Sequence, residues 1–226
     1  MQNARAVALL PGKWVFAMHK YIIRYAKRGD AKFVSHLDFL RLIQRAMRRA
    51  ELPLKFSEGF NPHPCLSFAQ PLGVGVCGEK ELFEVELTAP CDNIVERLAP
   101  KMPRGIEIVE AVPCEKNNFA KISRGVYAVR PEVMPTEAQL SAFMGKTEIL
   151  TEKKTKSGVK TADIRPDIFS AKLGEDRILF RLATGSTANL KPQTVMQALC
   201  EVTEGYDCGF CRYTRLCLTD ENNTEI

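Results

Sequence analysis

Three histidines, a run of arginines and eight cysteines are the residues of this chain with the most chemistry to offer. His36 opens a helical stretch, and His63 stands between two prolines in Asn61-Pro62-His63-Pro64. Proline fixes its own φ, so the second imidazole sits on a stiff loop spanning Ser57, Gly59, Phe60, Asn61, Pro62, His63 and Pro64. Two imidazoles beside a cationic surface suit RNA cleavage, one taking the proton of a 2′-hydroxyl and the other protonating the leaving oxygen. The plainer reading is that His36 supports a helix cap and His63 orders a loop. A metal shared by the two would need a third ligand such as Asp38 or Cys65, and no metal site is expected from them.

The arginines make a stronger pattern. Arg41, Arg45 and Arg49 recur at four-residue spacing, with Arg48 one turn from the first two, so they share a helical ridge. Lys27 and Arg28 lie in the turn before that helix. Residues 20–55 hold ten Lys or Arg against three Asp or Glu, whereas residues 79–110 hold eight acidic and four basic residues. A surface of one sign suits a phosphate backbone, because each neutralised phosphate releases counterions. Lys27, Arg28, Arg41, Arg45 and Arg48 are therefore the candidate nucleic-acid contacts. The alternative is an ordinary solvated helix face.

Among the cysteines, Cys208-Gly-Phe-Cys211 is a CxxC with Cys200 and Cys217 nearby. Cys211 and Cys217 fall in one predicted strand, about 20 Å apart if extended. They cannot share an ion without breaking that strand. The expectation is buried free thiols in a reducing cytoplasm and no bound metal. In the second half, Asp163 and Arg165 sit in a loop with Asp167, closed by Pro166; Asn189 and Lys191, with Arg212 and Arg215, are candidates to complete a polar pocket. Glycines 73, 75 and 78 lack the spacing of a phosphate-binding loop, so no nucleotide cofactor is expected.

The elements that position these residues follow from periodicity. Residues 21–25 read as a strand. Ser35 and Asp38 frame the start of a helix running to Ala50, with Leu37, Leu40, Ile43, Met47 and Ala50 on its apolar face. Strands are expected at 54–57, 66–69, 82–87 and 106–109, with a glycine-rich connection at 71–78 and a helix at 93–99. That order is the split βαβ pattern. The second half repeats it: strands at 125–129, from 148, at 178–183 and at 210–218, helices at 137–144 and 191–200, and a basic stretch at 153–160. The chain thus reads as an α+β protein of two ferredoxin-like halves in tandem, 18–112 and 125–218. A linker at 113–124 joins them, residues 1–17 form a loose extension, and residues 219–226 form a tail. The fold is expected to stand without the extension, starting at Met18.

The residues 21–75, with Ser-His-Leu-Asp at 35–38 and Gly-Phe-Asn-Pro-His-Pro at 59–64, resemble the bacterial radical-SAM-linked protein family. Asp163-Ile-Arg-Pro166 and Asn189-Leu-Lys-Pro192 add to the likeness, which covers about 18–218. That family is a domain of unknown function found beside, or fused to, a radical SAM protein, and the resemblance implies such a partner. The chain lacks a CxxxCxxC cluster motif of its own. In architecture it is also similar to CRISPR repeat-processing endoribonucleases. The leading expectation is an accessory RNA-binding module working with a radical SAM enzyme in RNA modification or processing, and not itself the catalyst. A metal-independent endoribonuclease and a protein-interaction subunit are the alternatives. A net charge of +5 permits a polyanionic partner. With no long apolar run, the expected location is the cytoplasm, away from membranes.

Overall fold

A computed structural model describes residues 19–155 and 158–226. The proposed extension at 1–17, and the middle of the basic stretch at 153–160, lie outside the described residues. The chain is a mixed α+β protein, with a large sheet and four α-helices among the described residues.

The first half builds β1 (His19–Lys27), α1 (His36–Arg49), β2 (Leu66–Phe68), β3 (Val76–Leu87), α2 (Ile94–Leu98) and β4 (Ile106–Cys114). The second builds β5 (Arg124–Pro131), α3 (Glu137–Met144), β6 (Leu150–Thr155), β7 (Gly158–Asp163), β8 (Ile168–Leu173), β9 (Ile178–Ala183), α4 (Pro192–Val202) and β10 (Cys211–Thr219). The sheet runs β4-β1-β3-β10-β5-β9-β8, and β2 pairs with the far end of β3. Within each half every pairing is antiparallel. The halves meet through a short parallel register of β10 on β3, Tyr213 to Val76 through Arg215 to Gly78.

Burial follows the strand period of two. Tyr21, Ile23 and Tyr25 of β1 and Phe83, Val85 and Leu87 of β3 form one core with Phe39, Ile43, Ala46 and Met47 of α1. Tyr127, Val129, Ile178, Phe180 and Leu182 form the other with Leu140 and Phe143 of α3 and Val195, Met196 and Leu199 of α4. Leu37, expected on the buried face of α1, is exposed; Phe39 and Ala46 take the core positions.

At the junction, Arg215 of β10 donates to both carboxylate oxygens of Glu81 and to the Gln70 carbonyl at 2.6 Å. Both ion-paired side chains are 2% exposed. A Cβ at Gly78 would sit 2.5 Å from the Glu81 side chain, so a glycine is what lets Glu81 lie along its own strand toward Arg215.

Several boundaries differ from the sequence reading. The segment at 54–57 is not a strand of the sheet; Leu54 and Phe56 make isolated bridges. β3 starts inside the expected glycine-rich connection, because Val76 has a partner in β10 that is far away in sequence. The strand begun near 148 belongs to the separate hairpin β6–β7, and its place in the main sheet is taken by β8. β4 runs to Cys114, which shortens the linker to 115–123. The expected tail folds back: Glu225 bridges Thr219, and Ile226 donates its N–H to the Leu218 carbonyl at 3.1 Å.

Candidate nucleic-acid interface

α1 is set by its cap. Ser35 is the N-cap and its Oγ accepts from the Asp38 N–H at 3.2 Å, while the Ser35 hydroxyl donates to Asp38 Oδ2 at 2.7 Å. With Phe39, Ile43, Ala46 and Met47 held in the core, the opposite side must carry the arginines into water, and Arg41, Arg45, Arg48 and Arg49 are all exposed. The short turn after α2 supplies a further cation. Arg41, Arg45, Arg49 and Lys101 line one open groove of about 620 Å³, floored by Val34, Leu42, Met102 and Pro103. Asp38 is its one acidic lining residue and accepts from Arg41 Nη1 at 3.1 Å. Arg49 donates to the Lys101 carbonyl at 2.8 Å, fixing one wall to the other.

The other predicted contacts go elsewhere. Lys27 is buried, 2% exposed, and donates to the Val34 carbonyl at 2.8 Å with its ammonium over the Phe39 ring. Burial lowers its pKa despite the opposing pull of Glu81. Arg28 is held in a fork between Glu79 and Glu107, and the hydrogen bonds it donates to these two carboxylates raise its pKa. Lys27 is engaged by burial and Arg28 by its two acids, and a count of charge along the sequence does not show which acids fold back onto which bases. Arg48 leaves the groove and lies over the Phe56 ring, 5.6 Å from its centroid.

The histidines are not brought to the groove. His36 packs edge-on against Phe68, with ring centroids 5.2 Å apart. His63 Nδ1 lies 2.9 Å from Ser57 Oγ, and its N–H donates to the same oxygen at 3.1 Å. With Ser57 N–H donating to the His63 carbonyl at 2.8 Å, these contacts close the loop on itself. Gly59 turns its tip at φ +115°, and Phe60 stands fully in solvent. The geometry fits the loop-ordering role for His63 and the packing role for His36.

The expected second-half pocket is divided. Asp163 accepts from the N–H groups of Ile149 and Arg165, at 2.8 and 2.9 Å, and these bonds hold its carboxyl below the usual range. Arg165 donates to the carbonyls of Met144, Lys146 and Ile168, closing the end of α3. Asn189 is exposed and pairs with Thr184 in another loop. Arg215 is occupied by Glu81. The residue missed from sequence is Lys101, which reaches the groove from about fifty positions beyond α1; no spacing rule connects them.

A protein with this fold and site is an α+β protein carrying a cationic groove on one helix. The chain belongs to the family described as an uncharacterised protein conserved in bacteria (DUF2344), whose model matches residues 20–192. A search among curated proteins finds no match. Among solved structures, a chain in a Cbf5–Nop10–Gar1 complex is similar over 89% of this chain, at 9% identity and a TM-score of 0.44. This chain spans 50% of that one. An unknown protein from Galdieria sulphuraria is similar over 74% of this chain and 80% of its own, at 11% identity and a TM-score of 0.27. Among the described residues, no helix is long and apolar enough to cross a membrane.

Proposed function

We propose that this chain is an accessory RNA-binding module of two ferredoxin-like units, working with a radical SAM partner in RNA modification or processing. The strand orders support the two units: β4-β1-β3-β2 and β10-β5-β9-β8 are the same order, fourth-first-third-second, with β6–β7 inserted in the second. The partner rests on the resemblance of Ser35–Asp38 and of the loop from Gly59 to Pro64 to the radical-SAM-linked family.

The observation that carries the RNA reading is the groove of Arg41, Arg45, Arg49 and Lys101, which faces a single acid. Phosphate binding needs exposed cations held at fixed spacing, and a helix ridge walled by a second element supplies that, with the exposed Arg41–Asp38 pair giving way to a phosphate. With both histidines committed to packing and loop closure, binding is favoured over cleavage.

The test is RNA binding as a function of salt. Affinity should fall with a log–log slope of about −0.7 per single-strand phosphate contacted. Replacing Arg41 and Arg45 together by Gln should make that slope shallower by about 1.4. Lys27→Met should leave it unchanged. Undetectable binding at low salt, or an unaltered slope in the double variant, would remove the proposal.

A further inference from the structure

Cys200, in the last turn of α4, and Cys208, in the loop before β10, bring their sulfurs to 3.0 Å. One oxygen of the Asp207 carboxylate and these two sulfurs lie within 4.8 Å of one another. Cys211, at the start of β10, stands at the edge of this group: its thiol and that of Cys208 both reach the Gly209 carbonyl, at 3.8 and 3.6 Å.

The loop carrying these groups is braced from outside. Glu132, just past β5, accepts from the Phe210 N–H at 3.1 Å, and its own N–H donates to the Cys208 carbonyl at 3.0 Å. Gly209 has φ +58°, and a Cβ there would lie 2.5 Å from Glu132 Oε2. Asp207 Oδ1 accepts from the Gly209 N–H at 2.9 Å, and the Tyr206 hydroxyl donates to the Val133 carbonyl at 3.0 Å. The turn is therefore shaped independently of the sulfurs, and it presents them together.

We propose that Cys200, Cys208 and Cys211, with the Asp207 carboxylate, form a site for one soft divalent cation of the zinc class. Three sulfurs and one carboxylate oxygen make the four-ligand set that zinc takes in structural sites. Zn–S bonds of about 2.3 Å at tetrahedral angles place sulfurs about 3.8 Å apart, so Cys200 and Cys208 need to part by less than about 1 Å. A disulfide would use Cys200 and Cys208 and leave the convergence of Asp207 on them without a role. Burial and the neighbouring Cys208 hold the Cys200 thiol up at about 11, so at neutral pH the cation displaces a proton from it. The bound ion would tie the end of α4 to the start of β10 across an eight-residue loop.

The experiment loads the full chain, purified under reducing conditions, with zinc and separately with cobalt(II). The expected result is one zinc per chain, a thiolate-to-cobalt charge-transfer band, and a higher unfolding midpoint that a chelator reverses. Cys200→Ser, Cys208→Ser and Cys211→Ser should each lose at least about tenfold in zinc affinity. Cys217→Ser, six residues further along β10, should retain it. Absence of the cobalt band in the unsubstituted chain would overturn the proposal, and needs no variant to fold. Undiminished zinc binding in the serine variants, or a Cys200–Cys208 disulfide in protein isolated from cells, would overturn it equally.

Discussion

Arg215 is a charge that the fold cannot release. It lies with Glu81 between the two halves, both side chains 2% exposed, and every contact it makes is inside the protein. Two buried charges attract strongly only while both are present, and removing one strands the other in a medium that solvates it poorly. Arg215→Met is expected to cost about 3–5 kcal/mol in denaturant unfolding, and Glu81→Leu with Arg215→Met to recover most of that loss. If the single and double variants are equally unstable, the pair is not the source of the stability. From sequence, Arg215 reads only as a strand residue and a candidate to complete a polar pocket. Its partner lies 134 positions away, and only the β3–β10 register reveals it. The meeting of Cys200 with Cys208 is out of reach of the sequence for a related reason. Reading Cys211 and Cys217 along one strand rightly separates those two, but it says nothing of a thiol arriving from the end of a helix.

At the scale of elements, local chemistry was legible and long-range placement was not. Ser35 with Asp38 announced α1, and α3 was found over its full span, where Thr136 and Gln139 cap each other's N–H groups. β8 escaped because its strand alternation follows a polar, proline-containing turn, and because the start of β6 ahead of it looked like the strand the pattern required. The end of α3 shows what the fold adds. The last carbonyls of a helix lack donors from the next turn, and Arg165 reaches back from the turn before β8 to hold that of Met144, the last residue of α3, and that of Lys146 just beyond it. Hydrogen bonds from a charged donor contribute more than neutral ones, so Arg165→Ala should destabilise the second half by about 2 kcal/mol or more. Arg165→Lys should rescue only part of this, because an ammonium lacks the planar fork. Hydrogen exchange would place the loss in α3 and β8; an even loss across both halves would contradict the local role.

At the scale of the molecule, the halves are joined by a three-residue register and by the C-terminal segment. Sequence gave no reason to expect the second of these, since 219–226 is polar and has no period. Yet Glu225 accepts from Lys80 of β3 and from Arg24 of β1, each at 2.9 Å, so a residue after the last strand is pinned across the first half. Burial pushes the Glu225 carboxyl up, but the hydrogen bonds and charges of Lys80 and Arg24 outweigh it and leave its pKa below the ordinary 4.5. A carboxyl with a depressed folded pKa stabilises the protein above its unfolded pKa, and that contribution disappears as the pH falls through the folded value. Because the side chain is 37% exposed, water and salt screen the interaction, and its worth is held to about 1 kcal/mol or less. Glu225→Gln should therefore lower the unfolding midpoint slightly at pH 7, with a gap from the unsubstituted chain that narrows as acid is added and closes below the folded pKa. Raising salt at pH 7 should narrow the same gap. A gap independent of both pH and salt would mean that Glu225 acts through packing of the terminal segment and not through its charge.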